Sequence, residues 1–163
     1  MGCNNKAVKV PKFYDIICFF AITNQKSIIM STGLMHLHHY LPFLFFIVLI
    51  ISIVRAGLYK IPNVKKDIFL TLTLIFAHIQ LLLGLVLLVD FISVAGIHMG
   101  EAANRFVTVE HPLMMLIAVI LITVGKVKAK KTEDNRGGNK IIFIYFMIAL
   151  VLVLSRTPWE RSF

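Results

Sequence analysis

The sequence predicts an all-α integral membrane protein, a bundle of four transmembrane helices without a soluble domain. Three observations carry this expectation. Of the 163 residues, 58% are hydrophobic and the mean hydropathy is +0.85, whereas about half apolar is usual for a soluble domain. The excess is concentrated near residues 33–55, 68–90, 104–125 and 140–155. Each stretch has about 20 residues, the length a helix needs to cross a ~30 Å hydrocarbon core. Finally, charge alternates between the connections. After the first stretch, Arg55, Lys60, Lys65 and Lys66 outnumber Asp67. Segment 126–140 sets Lys126, Lys128, Lys130, Lys131, Arg136 and Lys140 against Glu133 and Asp134. Between them, Asp90, Glu101 and Glu110 outnumber Arg105.

The first and third connections share a side in any four-helix topology. The positive-inside rule therefore predicts loops 57–67 and 126–140 in the cytoplasm, with the second connection outside. The net charge of +9 is thereby read as topology, and no nucleic-acid partner is expected. Residues 1–29 fit this pattern poorly. They place Lys6, Lys9, Lys12 and Lys26 against Asp15 on the side expected to be outside, and their apolar run from Phe13 to Thr23 is too short to span. The expectation is a translation start at Met30, with 1–29 an extension, disordered tail or targeting segment and 30–163 the membrane domain. Both cysteines, Cys3 and Cys18, fall in that segment, and no CxxC or CxxCH motif occurs.

The first helix is expected from Gly33 to Arg55. It opens with His36, His38 and His39; His36, His39, Tyr40 and Phe43 share a face, and His38 points elsewhere. Pro42 predicts a kink in these first turns. The following LFFIVLIISIV reads as lipid-facing. In the second helix, Thr71, Ile75, His78 and Leu82 share one face, and Thr73, Ala77, Gln80 and Gly84 form a neighbouring polar and small face suited to close helix contact. His78 falls near mid-bilayer, about 15 Å from the basic end. The third helix is expected to begin at Asn104 as N-cap and to continue to Gly125, carrying His111, Met115, Ala118, Ile122 and Gly125 on one face. Small residues at 118 and 125 leave room for a flat group or a close helix. Glu110 is a candidate partner for an imidazole or a cation, and Met114 or Met115 a candidate thioether ligand. The fourth helix, Lys140 to Leu154, reads as a packing helix. It closes in Arg156, Trp159 and Arg161, read as an interfacial anchor.

An ionisable or metal-ligating side chain inside a membrane marks a candidate functional site, and histidine is a frequent haem and metal ligand. Bis-histidine haem needs two imidazoles on different helices at similar depth. Counted from the outer boundary, the first-helix histidines lie ~5–9 Å in and His111 ~10 Å in. His78 lies about a turn deeper. A first-helix histidine with His111 is the best depth match, and His78 with His111 is next. Three of the histidines could instead hold a copper or zinc ion. The chain lacks a hydrolase triad, phosphate loop or zinc-protease motif.

The segments LMHLHHYLPF, HIQLLLGLVLL and RFVTVEHPLMMLIAVILITVGKVKAK, with the closing RTPWERSF, resemble the small bacterial four-helix membrane proteins labelled b-type cytochromes. The resemblance covers Met30 to Phe163. It implies haem b binding and electron transport in the bacterial cytoplasmic membrane. His36 and His38 match the family's H-x-H opening, His78 its HIQL segment and His111 its VEH segment. His38, His78 and His111 are then the candidates for the haem iron. The family has small and polar residues after H-x-H with an Arg-Trp pair soon following, where this chain has His39, Tyr40, Leu41 and Pro42, so the first-helix ligand stays open. The expected function is a haem b electron carrier exchanging electrons with a quinone pool or respiratory subunit, with quinone a second candidate ligand. The competing expectation is a non-catalytic subunit or assembly factor of a larger membrane complex, with no cofactor of its own.

Overall fold

The structure is a computed structural model that describes the backbone of residues 13–157 and the side chains of residues 32–157. Trp159, Arg161 and Cys3 lie outside the described residues, as does the side chain of Cys18. The described chain is helical, and four of its segments are long and apolar enough to cross a membrane. This is a multi-pass membrane bundle.

Helix α1, Phe13–Gly57, runs on through Pro42, and its spanning part is Thr32–Gly57. Helix α2, Ile68–Ala95, starts where the carboxylate of Asp67 accepts the N–H of Leu70 at 3.0 Å, satisfying one of the donors a helix start leaves unpaired. The third span is built in pieces. The single turn α3, Ala102–Arg105, leads into a π-helical turn at Phe106–Glu110 and then α4, His111–Lys131. Helix α5, Asn135–Arg156, begins at Asp134, which accepts the N–H groups of Arg136 at 3.0 Å and Gly137 at 2.9 Å. These bonds favour the ionised form and hold the Asp134 carboxyl below its ordinary pKa. Helix α1 packs on α2 and α5, and α4 packs on the same two, so the helices stand in a square with α1 and α4 at opposite corners.

Several boundaries differ from the sequence expectation. Helix α2 continues past residue 90 to Ala95, α4 past Gly125 to Lys131, and α5 begins at Asn135 rather than Lys140. Charge explains the second difference. Lys128, Lys130 and Lys131 occupy the last turn of α4, where cations complement the helix dipole. The polar pair Asp134 and Asn135 then supplies a cap that hydropathy does not register. Asn104 is not the N-cap. It is buried inside α3, where its amide accepts the N–H of His98 at 2.9 Å and donates to the carbonyl of Gly96 at 3.2 Å. It thereby pins the connection back onto the helix. The LFFIVLIISIV run is not uniformly lipid-facing. Phe45, Val48, Leu49, Ser52 and Ile53 are buried, while Leu44, Ile47, Ile50 and Val54 are exposed, so one face enters the core.

That core joins Leu49, Leu70, Ile122, Ile142 and Phe146. Small residues let backbones approach, as the Thr73, Ala77, Gln80, Gly84 face of α2 leads one to expect: Thr73 and Ala77 are buried, while Thr71, Ile75, His78 and Leu82 lie outside. Thr73 donates to the carbonyl of Phe69 at 2.9 Å, and Ser52 of α1 donates to its oxygen at 3.1 Å. At Gly125 an added Cβ would stand 2.6 Å from the Cβ of Tyr145, an atom too close to its own backbone to swing away. Gly125→Ala is expected to push α4 from α5 and to lower stability by about 1–3 kcal/mol. Denaturation by SDS in mixed micelles measures it.

Candidate histidine site

Proline carries no N–H, so the helical carbonyl four residues before it has no partner. Pro42 does this to His38. The Nε2 of Gln80, one helix away on α2, donates to that carbonyl at 2.7 Å and to the ring Nδ1 of His38 at 3.1 Å. Gly84, one turn further along α2, leaves space for the ring: a Cβ there would stand 2.9 Å from the Cε1 of His38. Helix α2 thus grips both the backbone and the imidazole of His38, which is half-buried. Among the described residues the Oε1 of Gln80 is buried without a hydrogen-bond partner.

The second histidine is placed by the π-helical turn. A π turn adds a residue to the helical ladder, turns everything beyond it by about 100° relative to an unbroken α-helix, and is frequent at functional sites. Here it ends immediately before His111, whose N–H bonds to the carbonyl of Phe106. The half-buried His111 has its Nδ1 2.7 Å from the carbonyl of Arg156 in the last turn of α5. A carbonyl only accepts, so Nδ1 carries the proton and Nε2 keeps its lone pair. Around it, Glu110 binds Arg105 at 3.1 Å and Arg156 at 2.9 Å, and Arg105 also donates to the carbonyl of Met99 at 3.3 Å. Glu110 therefore meets two guanidinium groups rather than an imidazole. The Arg156 side chain and its carbonyl tie the end of α5 to the start of α4.

His38 and His111 come from α1 and α4, at opposite corners of the square, and stand at a similar level. Helical rise accounts for the level match: His38 stands about 28 Å above Gly57 and His111 about 30 Å above Lys131. His78, only about 16 Å above Asp67, lies on the exposed face of α2, where its Nδ1 donates to the carbonyl of Leu74 on its own helix at 2.7 Å. His36 is exposed and stacks on Tyr40 with ring centres 6.4 Å apart. His39 meets Tyr40 edge-on at 5.1 Å and Phe43 at 6.4 Å. The structure sets His38 and His111 half-buried at a similar level and leaves His36 and His78 exposed. Among the described residues no group of three or more His, Cys, Asp or Glu side chains stands arranged to hold a metal ion. Met115 packs against the core. The space expected beside Gly125 is taken by Tyr145, so of the two uses open to those small positions, the chain makes a close helix contact.

Sequence reading placed Gln80 on the contacting face but missed it as the partner of His38. The signal was present: Pro42 stands four residues after His38, so the His38 carbonyl had to find a donor on another helix. The Arg156 carbonyl had no such signal, because a backbone acceptor depends on where α5 ends. No family model matches the chain, and no curated protein and no solved structure matches it.

Proposed function

We propose that the chain is a haem b-binding electron-transfer protein of the bacterial cytoplasmic membrane, in which His111 and His38 would hold the haem. The observation that supports this most is that two half-buried histidines, His38 and His111, stand at a similar level on different helices. The two rings fit haem unequally. His111 has the arrangement of a ligating imidazole, its Nδ1 proton held by a backbone carbonyl and its Nε2 without a hydrogen bond among the described residues. His38 carries its proton on Nε2 while Gln80 donates to its Nδ1, and must exchange that proton to ligate. Haem b supplies a one-electron carrier when bound. The protein fixes ring orientation through Arg156 and Gln80, and closes the histidine end with the Arg105–Glu110–Arg156 ion pairs. An electron partner such as quinol or a respiratory subunit completes the reading, which also draws on the resemblance to b-type cytochromes. A pyridine haemochrome assay on the purified chain tests it, with one haem b per chain expected and none counting against it.

The second reading, a cofactor-free subunit of a larger complex, draws on α2. Only 11% of its apolar window is buried, against 22–33% for the other spans, and it shows His78 on the open face. Orientation belongs to the same proposal. The ends of the bundle at 57–67 and 126–140 face the cytoplasm, because the lysines cluster there. In a chain with Cys3 and Cys18 replaced by serine, Lys65→Cys and Lys131→Cys should resist an impermeant thiol reagent in intact cells and react after lysis. Labelling of either from outside overturns the orientation.

A further inference from the structure

Lys126 is a buried cation that the bundle leaves without a counterion. It is 4% exposed, and its Nζ reaches from α4 to α2, donating to Oγ1 of Thr71 at 2.9 Å. That hydroxyl gives its own proton to the carbonyl of Asp67, at 2.9 Å. An ammonium has three N–H donors, and among the described residues Lys126 is bonded to no second acceptor. The carboxylate at the head of α2 is taken: Asp67 accepts from Nη2 of Arg55 at 2.8 Å and from the N–H of Leu70. Nη1 of Arg55 is itself buried without a partner among the described residues, so donors outnumber acceptors here. Lys130, exposed, follows Lys126 one turn on along the same face of α4. A cation removed from water without a counterion is costly, so an anion from outside the chain completes the arrangement.

The level of the bond identifies that anion. Helix α2 has 28 residues and the span containing α4 has 30, about 42 and 45 Å against a hydrocarbon core of ~30 Å. Centred on the core, each overhangs it by about 6–7 Å. Thr71 stands about 5 Å from the start of α2 and Lys126 about 8 Å from the end of α4, so their bond lies where acyl chains give way to headgroups. Thr71 is exposed, which sets the ammonium at the rim between the two helices. Deeper on the same exposed face of α2 stand Ile75 and Leu82. We propose that Lys126, with Lys130, binds the phosphate of an anionic phospholipid in the leaflet at the basic end, whose acyl chain lies along Ile75 and Leu82. A free anion would match the charge and leave the apolar face unused. A zwitterionic lipid would bring a cation of its own to two lysines. Basic pockets between membrane helices hold acidic headgroups in this way, and haem binding is not required for it.

The test uses the full chain, delipidated in a non-ionic detergent, with phosphatidylglycerol and phosphatidylcholine competing for it and native mass spectrometry counting the bound lipid. Wild type is expected to retain one phosphatidylglycerol in preference to phosphatidylcholine, and millimolar inorganic phosphate should not displace it. Lys126→Gln, which still offers Thr71 a donor, should weaken that preference by about 5–10-fold. Lys126→Arg should keep it. Lys65→Gln removes the same charge from the same end of the bundle and should leave it nearly unchanged. No preference in wild type, displacement by inorganic phosphate, or an equal loss in Lys65→Gln overturns the proposal; the last would show a diffuse field in place of a site. Should the Lys126 variants fail to fold, a phosphatidylglycerol with a photoreactive headgroup decides the matter on wild type. Labelling is expected within residues 68–75 or 122–131, and labelling confined to other segments overturns the site.

Discussion

Replacing His111 by alanine is expected to abolish low-spin haem binding while leaving the four helices inserted. The side chain is half-buried at the end of the bundle, and its hydrogen bond to the Arg156 carbonyl ends on a helix terminus. Its removal takes no large volume from the Leu49–Ile122–Phe146 core. The loss falls on ligation, because of the two histidines His111 carries its proton on Nδ1 and keeps the Nε2 lone pair. His38→Ala should also lose the low-spin spectrum. His78→Ala should keep it, since His78 faces outward and is satisfied by Leu74 on its own helix. Visible absorption of each purified variant, with circular dichroism to confirm helicity, separates these outcomes. Loss of the haem spectrum in His78→Ala with retention in His38→Ala would move the site to α2.

Asn139→Leu is expected to cause the largest loss of stability. Asn139 is 1% exposed, and its amide accepts the N–H of Ile61 at 3.2 Å while donating to the Ile61 carbonyl at 3.0 Å and to that of Asn135 at 2.7 Å. Ile61 is itself buried and belongs to the connection between α1 and α2, where neither helical nor sheet partners exist. A leucine keeps the branched shape and strands both backbone groups. Each stranded group costs about 1–3 kcal/mol, so a loss of roughly 2–6 kcal/mol is expected. SDS-induced unfolding in mixed micelles should show a clear fall in midpoint, with little change for an exposed substitution such as Lys140→Ala.

The number of spanning helices was legible because length and hydropathy are properties of single segments. Their ends were less so. Polar residues at the ends, Asp134 and Asn135 for α5 and the lysines for α4, extend helices beyond the apolar run. Periodicity separated the two faces of α2 correctly, placing Thr73 and Ala77 inside. It did not divide α1, where the run after Pro42 is apolar on every side and the inward face is marked only by Ser52. The candidate site was legible as residue types at matched depth. Its internal wiring was not, because the partners are backbone carbonyls: Arg156 for His111, Leu74 for His78, and His38's own for Gln80. Depth arithmetic also gave no warning of the π-helical turn, which changes the direction of His111 with little change in its level.

The most direct measurement of the central claim is the reduced-minus-oxidised absorption spectrum of the full chain, purified in detergent from haem-replete cells. The account predicts a Soret band with sharp low-spin α and β bands on reduction, as two imidazole ligands to one haem b require. Protein that is folded and helical but shows no Soret band would contradict it, and the cofactor-free subunit would then be the better reading.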